Sequence, residues 1–157
     1  MKFGIEKFGI KNNRNDNIEF NNYCHRHGLI ATHQRMAVFC ELAGTTAHPD
    51  AETIYRHVKP KLPAISLDTV YRTLRIFEEK GMVSKVTTVS ERARFDADVS
   101  NHPHFVCLSC GSVTDIDSLD VSNLIPVKEV IDLGSVSSVC LEIRGTCNEC
   151  SEKKKNS

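Results

Sequence analysis

No apolar run in this 157-residue sequence approaches the roughly 20 residues that a bilayer-spanning helix needs. The start, "MKFGIEKFGIKNNRNDN", lacks an apolar core followed by a small-residue cleavage site, so no signal peptide is expected and the cytoplasm is the expected compartment. There are no internal repeats, and no low-complexity segment beyond the charged tail "SEKKKNS". Net charge is also missing: 20 Lys+Arg balance 20 Asp+Glu. Seven cysteines are an odd number, and without a secretion signal they do not make a disulfide framework.

The balanced charge hides an asymmetry. Residues 1–90 hold 13 Lys+Arg against 9 Asp+Glu (+4), and residues 91–157 hold 7 against 11 (−4). A basic front and an acidic rear suggest two modules with different partners, although an excess of four also arises by chance. With 40% apolar residues, the chain has enough to pack a core.

Helical periodicity dominates the front half. "IEFNNYCHRHGL" reads as a short helix closing at Gly28. "THQRMAVFCELAG" follows, with Thr32 as N-cap and Met36, Val38, Phe39 and Leu42 on an apolar face. In "HPDAETIYRHV", Pro49 suits the first helical position. "SLDTVYRTLRIFEEKG" has Ser66 to cap it, Gly81 to end it, and a stripe of Leu67, Val70, Leu74 and Phe77 to bury. "MVSKVTTVSERARFD" reads as two short strands around a polar turn.

Helices followed by a hairpin are the order of a winged helix-turn-helix, in which the helix before the hairpin enters the major groove. Its outward residues would be Asp68, Thr69, Tyr71, Arg72 and Arg75. Arginine reads guanine or grips phosphate, and tyrosine touches a thymine methyl or a phosphate. An ordinary amphipathic helix with a solvated polar face fits the same pattern.

The rear half reads as strands at "HFVCLSC", "GSVTDID" and "SSVCLEIRGTC", with a helix within 117–132. The expected layout is an N-terminal arm (1–17), a winged-helix domain (18–90), a hinge (91–97), a second domain (98–152) and a tail (153–157).

Four cysteines form two C-x-x-C pairs, Cys107 with Cys110 and Cys147 with Cys150. Such turns aim two sulfurs at one ion, and two turns supply the tetrahedral sulfur set of structural zinc. Each pair lies at a strand end, so the ion is expected to staple the two edges of the sheet. Cys24, Cys40 and Cys140 stand apart as core or incidental residues.

A second, harder set sits beside it. His102 and His104 share one face of a strand, with Asp96 upstream and Asp115 on the next strand. A third nitrogen has to come from the front half, and His48 is the candidate. Nitrogen and carboxylate donors without thiolate favour Fe(II), Mn(II) or Zn(II). Paired surface histidines that bind nothing are the plain alternative.

Together and in this order, "HRHGLIATHQRMAVFCEL", "AHPDAETIYRHV", "SLDTVYRTLRIFEEKGMV", "RFDADVSNHPHFVCLSCG" and "LEIRGTCNEC" resemble the ferric uptake regulator superfamily of metal-dependent bacterial repressors, from about Phe20 to Cys150. The resemblance implies an α+β homodimer: an N-terminal winged helix-turn-helix and a C-terminal α/β dimerisation domain, binding double-stranded DNA at a palindromic operator. It implies structural Zn(II) on Cys107, Cys110, Cys147 and Cys150, and regulatory Fe(II) or Mn(II) on His48, Asp96, His102, His104 and Asp115. DNA contacts would fall to Thr69, Tyr71, Arg72 and Arg75.

Iron-responsive members usually carry glutamate at the Asp96 and Asp115 positions. They also carry a histidine run where this chain has "SNHPH". Aspartate at both positions resembles the peroxide-responsive branch, in which the oxidised ligands would be His48 and His102. A further metal site of some iron regulators is lacking, with Asn101, Pro103 and Val139 at its positions. The hinge cysteine of zinc-responsive members is absent too. Arg72 is shared with iron-responsive members, so the recognition helix does not separate the branches, and a reversible iron-responsive repressor is the alternative.

Other classes fit less well. A zinc deaminase needs H-x-E near its cysteine pair, and "HPH" supplies no glutamate. Thiol redox chemistry would be inhibited by tightly bound zinc. A zinc-stapled interaction module would show no steep salt dependence with DNA.

Overall fold

The computed structural model describes residues 14–86, 93–116, 130, 132–135 and 140–155. They fall into two compact units that divide between Ser100 and Asn101. Residues 87–92 of the expected strand-turn-strand stretch, nearly all of the helix expected within 117–132, and Val139 lie outside the described residues.

The first unit contains α1 (Arg14–Arg26), α2 (His33–Ala43), α3 (Ala51–Val58), α4 (Leu67–Glu79), β1 (Ser84–Val86) and β2 (Arg94–Asp96). Side-chain caps start three of the helices by satisfying amides that have no intrahelical acceptor. Thr32 accepts from Arg35 N, Asp50 from Thr53 N and Ser66 from Thr69 N. Pro49 therefore precedes α3 rather than opening it, because the Asp50 side chain takes the cap position. Gly81, at φ +66°, ends α4: Met82 N–H reaches back to Phe77 O at 2.8 Å, and Gly81 N–H to Glu78 O at 3.0 Å.

One apolar core serves this unit. Phe20, Phe39 and Phe77 form a triangle with ring centroids 5.4, 6.4 and 5.8 Å apart. Val38, Leu42, Ile54, Val70, Leu74 and Met82 pack around them with almost no exposure. Leu67, expected in the buried stripe, is only half-buried, and Thr73 takes a buried place on that face instead. The hairpin is antiparallel, with Ser84 opposite Asp96 and Val86 opposite Arg94.

In the second unit, β3 (His104–Cys107), β4 (Val113–Asp115) and β5 (Glu142–Gly145) form a sheet in the order β4-β3-β5. β3 pairs antiparallel with β4 and parallel with β5. The last helix, α5, spans Asn148–Lys155.

Several boundaries differ from expectation. Helix α1 begins at Arg14, inside the stretch expected as an arm. β2 takes Arg94–Asp96 out of the expected hinge and is tied into the first unit by its pairing with β1, so the division falls later, after Ser100. Helix α5 carries the expected tail as far as Lys155.

Candidate metal centres and nucleic-acid interface

The parallel β3–β5 pairing sets Cys107 opposite Gly145, which brings the two C-x-x-C turns together. The four Sγ atoms lie within 4.8 Å of one another, with Cys110 and Cys147 sulfurs 3.9 Å apart. A zinc tetrahedron with Zn–S near 2.3 Å has edges of about 3.8 Å, so the site fits that ion. None of the seven cysteines is in a disulfide.

Backbone amides prepare the site. Cys147 N–H donates to Cys107 Sγ at 3.3 Å. Hydrogen bonds from the Cys110 and Cys147 backbone stabilise the Cys107 thiolate and pull its pKa from 9.0 down to about 6. At Cys150 the Ser109 hydrogen bond acts downward, but the sulfurs of Cys147, Cys110 and Cys107 push the thiol up to about 11. Four sulfurs this close cannot all ionise without a cation among them, and a divalent ion removes that conflict. The staple differs from expectation in one respect. Among the described strands β3 is central, so the cluster joins the central strand to one flanking strand rather than edge to edge.

The hard donors lie in both units. In the first, His48 Nε2 and Asp96 Oδ2 are 3.1 Å apart, and both residues are buried. His48 has φ +47°, the left-handed region, which strains a non-glycine residue by about 1–2 kcal/mol. The loop is held by β2: Arg94 Nη1 donates to His48 O at 3.1 Å and Phe95 N–H to Pro49 O at 3.2 Å. Asp96 Oδ1 accepts from Asp98 N–H at 2.8 Å, while Oδ2 is the atom that meets the imidazole.

In the second unit, His104 on β3 sits directly opposite Asp115 on β4. His102 lies just before the strand, but its ring centroid is 4.4 Å from that of His104. Both Nε2 atoms approach Asp115 Oδ1, at 3.3 Å from His102 and 3.5 Å from His104. Two nitrogens and a carboxylate oxygen around one point are a hard donor set without thiolate, suited to Fe(II), Mn(II) or Zn(II).

The expected reading face of α4 is outward. Tyr71 is 49% exposed, Arg72 and Arg75 are exposed, and Thr69 is half-buried beside the Ser66 cap. Asp68 pairs with Arg72 at 3.0 Å and Glu79 with Arg75 at 2.9 Å. Such exposed pairs contribute little and exchange readily for phosphate. Of the remaining cysteines, Cys24 is buried, Cys40 partly buried and Cys140 exposed.

Residues 26–132 match the family model described as the ferric uptake regulator family. The chain belongs to that family. The Bacillus subtilis peroxide operon regulator is 36% identical over 81% of this chain and 88% of its own length. The Staphylococcus epidermidis peroxide-responsive repressor PerR is 33% identical over 80% and 84%. The crystal structure of the Vibrio cholerae ferric uptake regulator superposes with a TM-score of 0.66 at 28% identity, covering 82% of this chain and 99% of that one. As a ferric uptake regulator family member, the chain has the α+β architecture of an N-terminal winged helix followed by an α/β dimerisation unit.

Two features of this family member were not legible in the sequence: the left-handed backbone of His48 and the grip of Arg94 on it. Strand alternation puts Arg94 on the same face as Asp96, the one signal available beforehand. What that face meets is set by a loop 46 residues away.

Proposed function

We propose that this chain is a metal-dependent, DNA-binding transcriptional repressor that senses hydrogen peroxide through oxidation of its own metal-ligand histidines. The observation that carries the reading is the distribution of hard donors. The first unit offers His48 and Asp96, and the second offers His102, His104 and Asp115. Neither set alone fills the coordination of Fe(II) or Mn(II). All five on one ion would fix the relative angle of the units, and with it the spacing of the two α4 helices in a homodimer on a palindromic operator. The metal then acts by favouring one state of a conformational equilibrium.

The sulfur site would hold structural Zn(II), separate from the regulatory metal. When bound, Fe(II) with an open coordination position reduces hydrogen peroxide beside its own ligands. His48 and His102 are the side chains that accept the oxygen atom. A histidine so modified carries the oxygen on a ring carbon, its nitrogens become amide-like and poor donors, the metal would be released and the operator freed. Mn(II) supports the DNA-binding state without that reaction. The similarity to the two peroxide-responsive regulators, together with aspartate at positions 96 and 115, favours this over reversible iron sensing. The role is regulatory rather than enzymatic. No described helix is long and apolar enough to cross a membrane, and a repressor of this kind works in the cytoplasm.

Peptide mass spectrometry of Fe(II)-loaded and Mn(II)-loaded protein after brief low-dose peroxide tests this reading. One added oxygen on the His48 or His102 peptide, only with iron and with loss of operator binding, is the expected result. Unmodified histidines with intact, metal-reversible binding would transfer the same fold and site to an iron-responsive repressor.

A further inference from the structure

Three consecutive residues of β2 hold the loop that carries His48. Arg94 Nη1 donates to the carbonyl of His48, the backbone amide of Phe95 to the carbonyl of Pro49, and Asp96 Oδ2 meets the His48 ring at 3.1 Å. Strand geometry explains the division of labour. Arg94 and Asp96, two residues apart, project to one face, while Phe95 points the other way into the core. His48 is therefore gripped twice from one strand, at its backbone by a guanidinium and at its imidazole by a carboxylate.

The backbone grip matters because His48 sits at φ +47° and Gly is not there to make that conformation easy. An isolated backbone bridge between Asp50 and Arg94 and the Asp50 cap of α3 secure the chain on the far side of the loop. On the near side, the Arg94 guanidinium donates to the His48 carbonyl. Arginine is well suited to this role, since its planar fork stays charged at any working pH and reaches from the strand to the loop.

We infer that Arg94 is a positioning residue of the sensing site, acting through His48 by holding its peptide in the left-handed conformation that aims the ring at Asp96. This rests on the proposed assignment of His48 as a metal ligand. Arg94 is not itself a ligand, and it shapes how tightly and at what angle His48 engages the metal. Without the grip, the peptide relaxes toward an unstrained conformation and the ring leaves its place.

The test compares wild type with Arg94→Gln, Arg94→Lys, His48→Ala and the Arg94→Gln/His48→Ala double variant, all as full-length zinc-containing protein. Mn(II) is the probe, with free Mn(II) followed by electron paramagnetic resonance. Loss of an outer partner of this kind weakens metal affinity by about 10–100-fold, and that is the range expected for Arg94→Gln. Arg94→Lys, which keeps a cationic donor without the planar fork, should recover part of the loss. In the His48→Ala background Arg94→Gln should cost nothing further, because its effect runs through a ring that is gone. An equal loss in both backgrounds would overturn the inference.

The His48 ring resonances of metal-free protein, read by long-range ¹H–¹⁵N correlation, give a readout that needs no metal. A single tautomer in wild type that averages in Arg94→Gln, with the other histidines unchanged, supports the inference, and an unchanged His48 signal removes it. If wild type takes up no Mn(II), the assignment of His48 as a ligand fails, while the ring spectrum still decides the role of Arg94.

Discussion

Cys110 and Cys147, 37 residues apart in sequence, hold their sulfurs 3.9 Å apart at the end of the β3–β5 pair. That separation matches a tetrahedral edge around zinc, and an ion held there would tie β3 to β5. Replacing Cys147 with serine should remove the zinc, unfold the second unit and abolish the dimer, since binding energy at such a site is folding energy. Metal analysis with sedimentation velocity checks this. A folded, zinc-free dimer would contradict it.

Gly145 lies against the Phe105 ring: a Cβ built there would stand 3.1 Å from Cε2 and 3.3 Å from Cζ. Gly145→Ala therefore forces the ring to give way inside a small sheet, and overpacking of this kind costs about 1–3 kcal/mol. Thermal unfolding of the zinc-loaded protein should show a lowered midpoint. Phe105→Leu in the same chain should restore part of it. An unchanged midpoint for Gly145→Ala would mean the ring moves freely.

On α4, Tyr71→Ala and Arg72→Ala should weaken operator binding while leaving zinc content and dimer intact. A base-contacting arginine is worth about 1–3 kcal/mol, whereas one that only grips phosphate lowers the salt slope by about one. Binding isotherms at several salt concentrations separate the two roles of Arg72. Unchanged affinity in both variants would take this helix out of the groove.

Asp50 caps α3 through a 2.7 Å bond from Thr53 N and stands two residues after His48. Asp50→Ala should lower the stability of the first unit by about 1 kcal/mol, and Asp50→Asn, an equally good cap, should not. Chemical denaturation followed by circular dichroism tests this. Equal losses in both variants would point to the charge rather than the cap.

Much of this was legible in the residues themselves. The caps at Thr32 and Ser66, the stop at Gly81 and the buried face of α4 are local chemistry: a side-chain oxygen within reach of an amide, a glycine free to take positive φ, a period of 3.6. The separation of soft from hard donors was legible for the same reason, because thiolate and imidazole differ in chemistry before any fold exists. Where a local signal had two solutions it misled. Pro49 suits the first position of a helix, but Asp50 captured the cap.

The amino-acid sequence alone determined which residues have metal-binding chemistry, and where α2 and α4 are capped and α4 stops, since each depends on neighbours within a few positions. The tertiary structure alone decided what meets what across the chain. The parallel register of β3 with β5 placed one cysteine pair beside the other, and made the staple join the central described strand to a flanking one. The closure of β2 on the loop before α3 put His48 against Asp96, strained its backbone and gave Arg94 its partner. Those pairings bridge 40 or more residues in the case of Cys107 with Cys147 and of Arg94 with His48. Contacts at that separation are selected by the packing of whole elements, so no local pattern announces them.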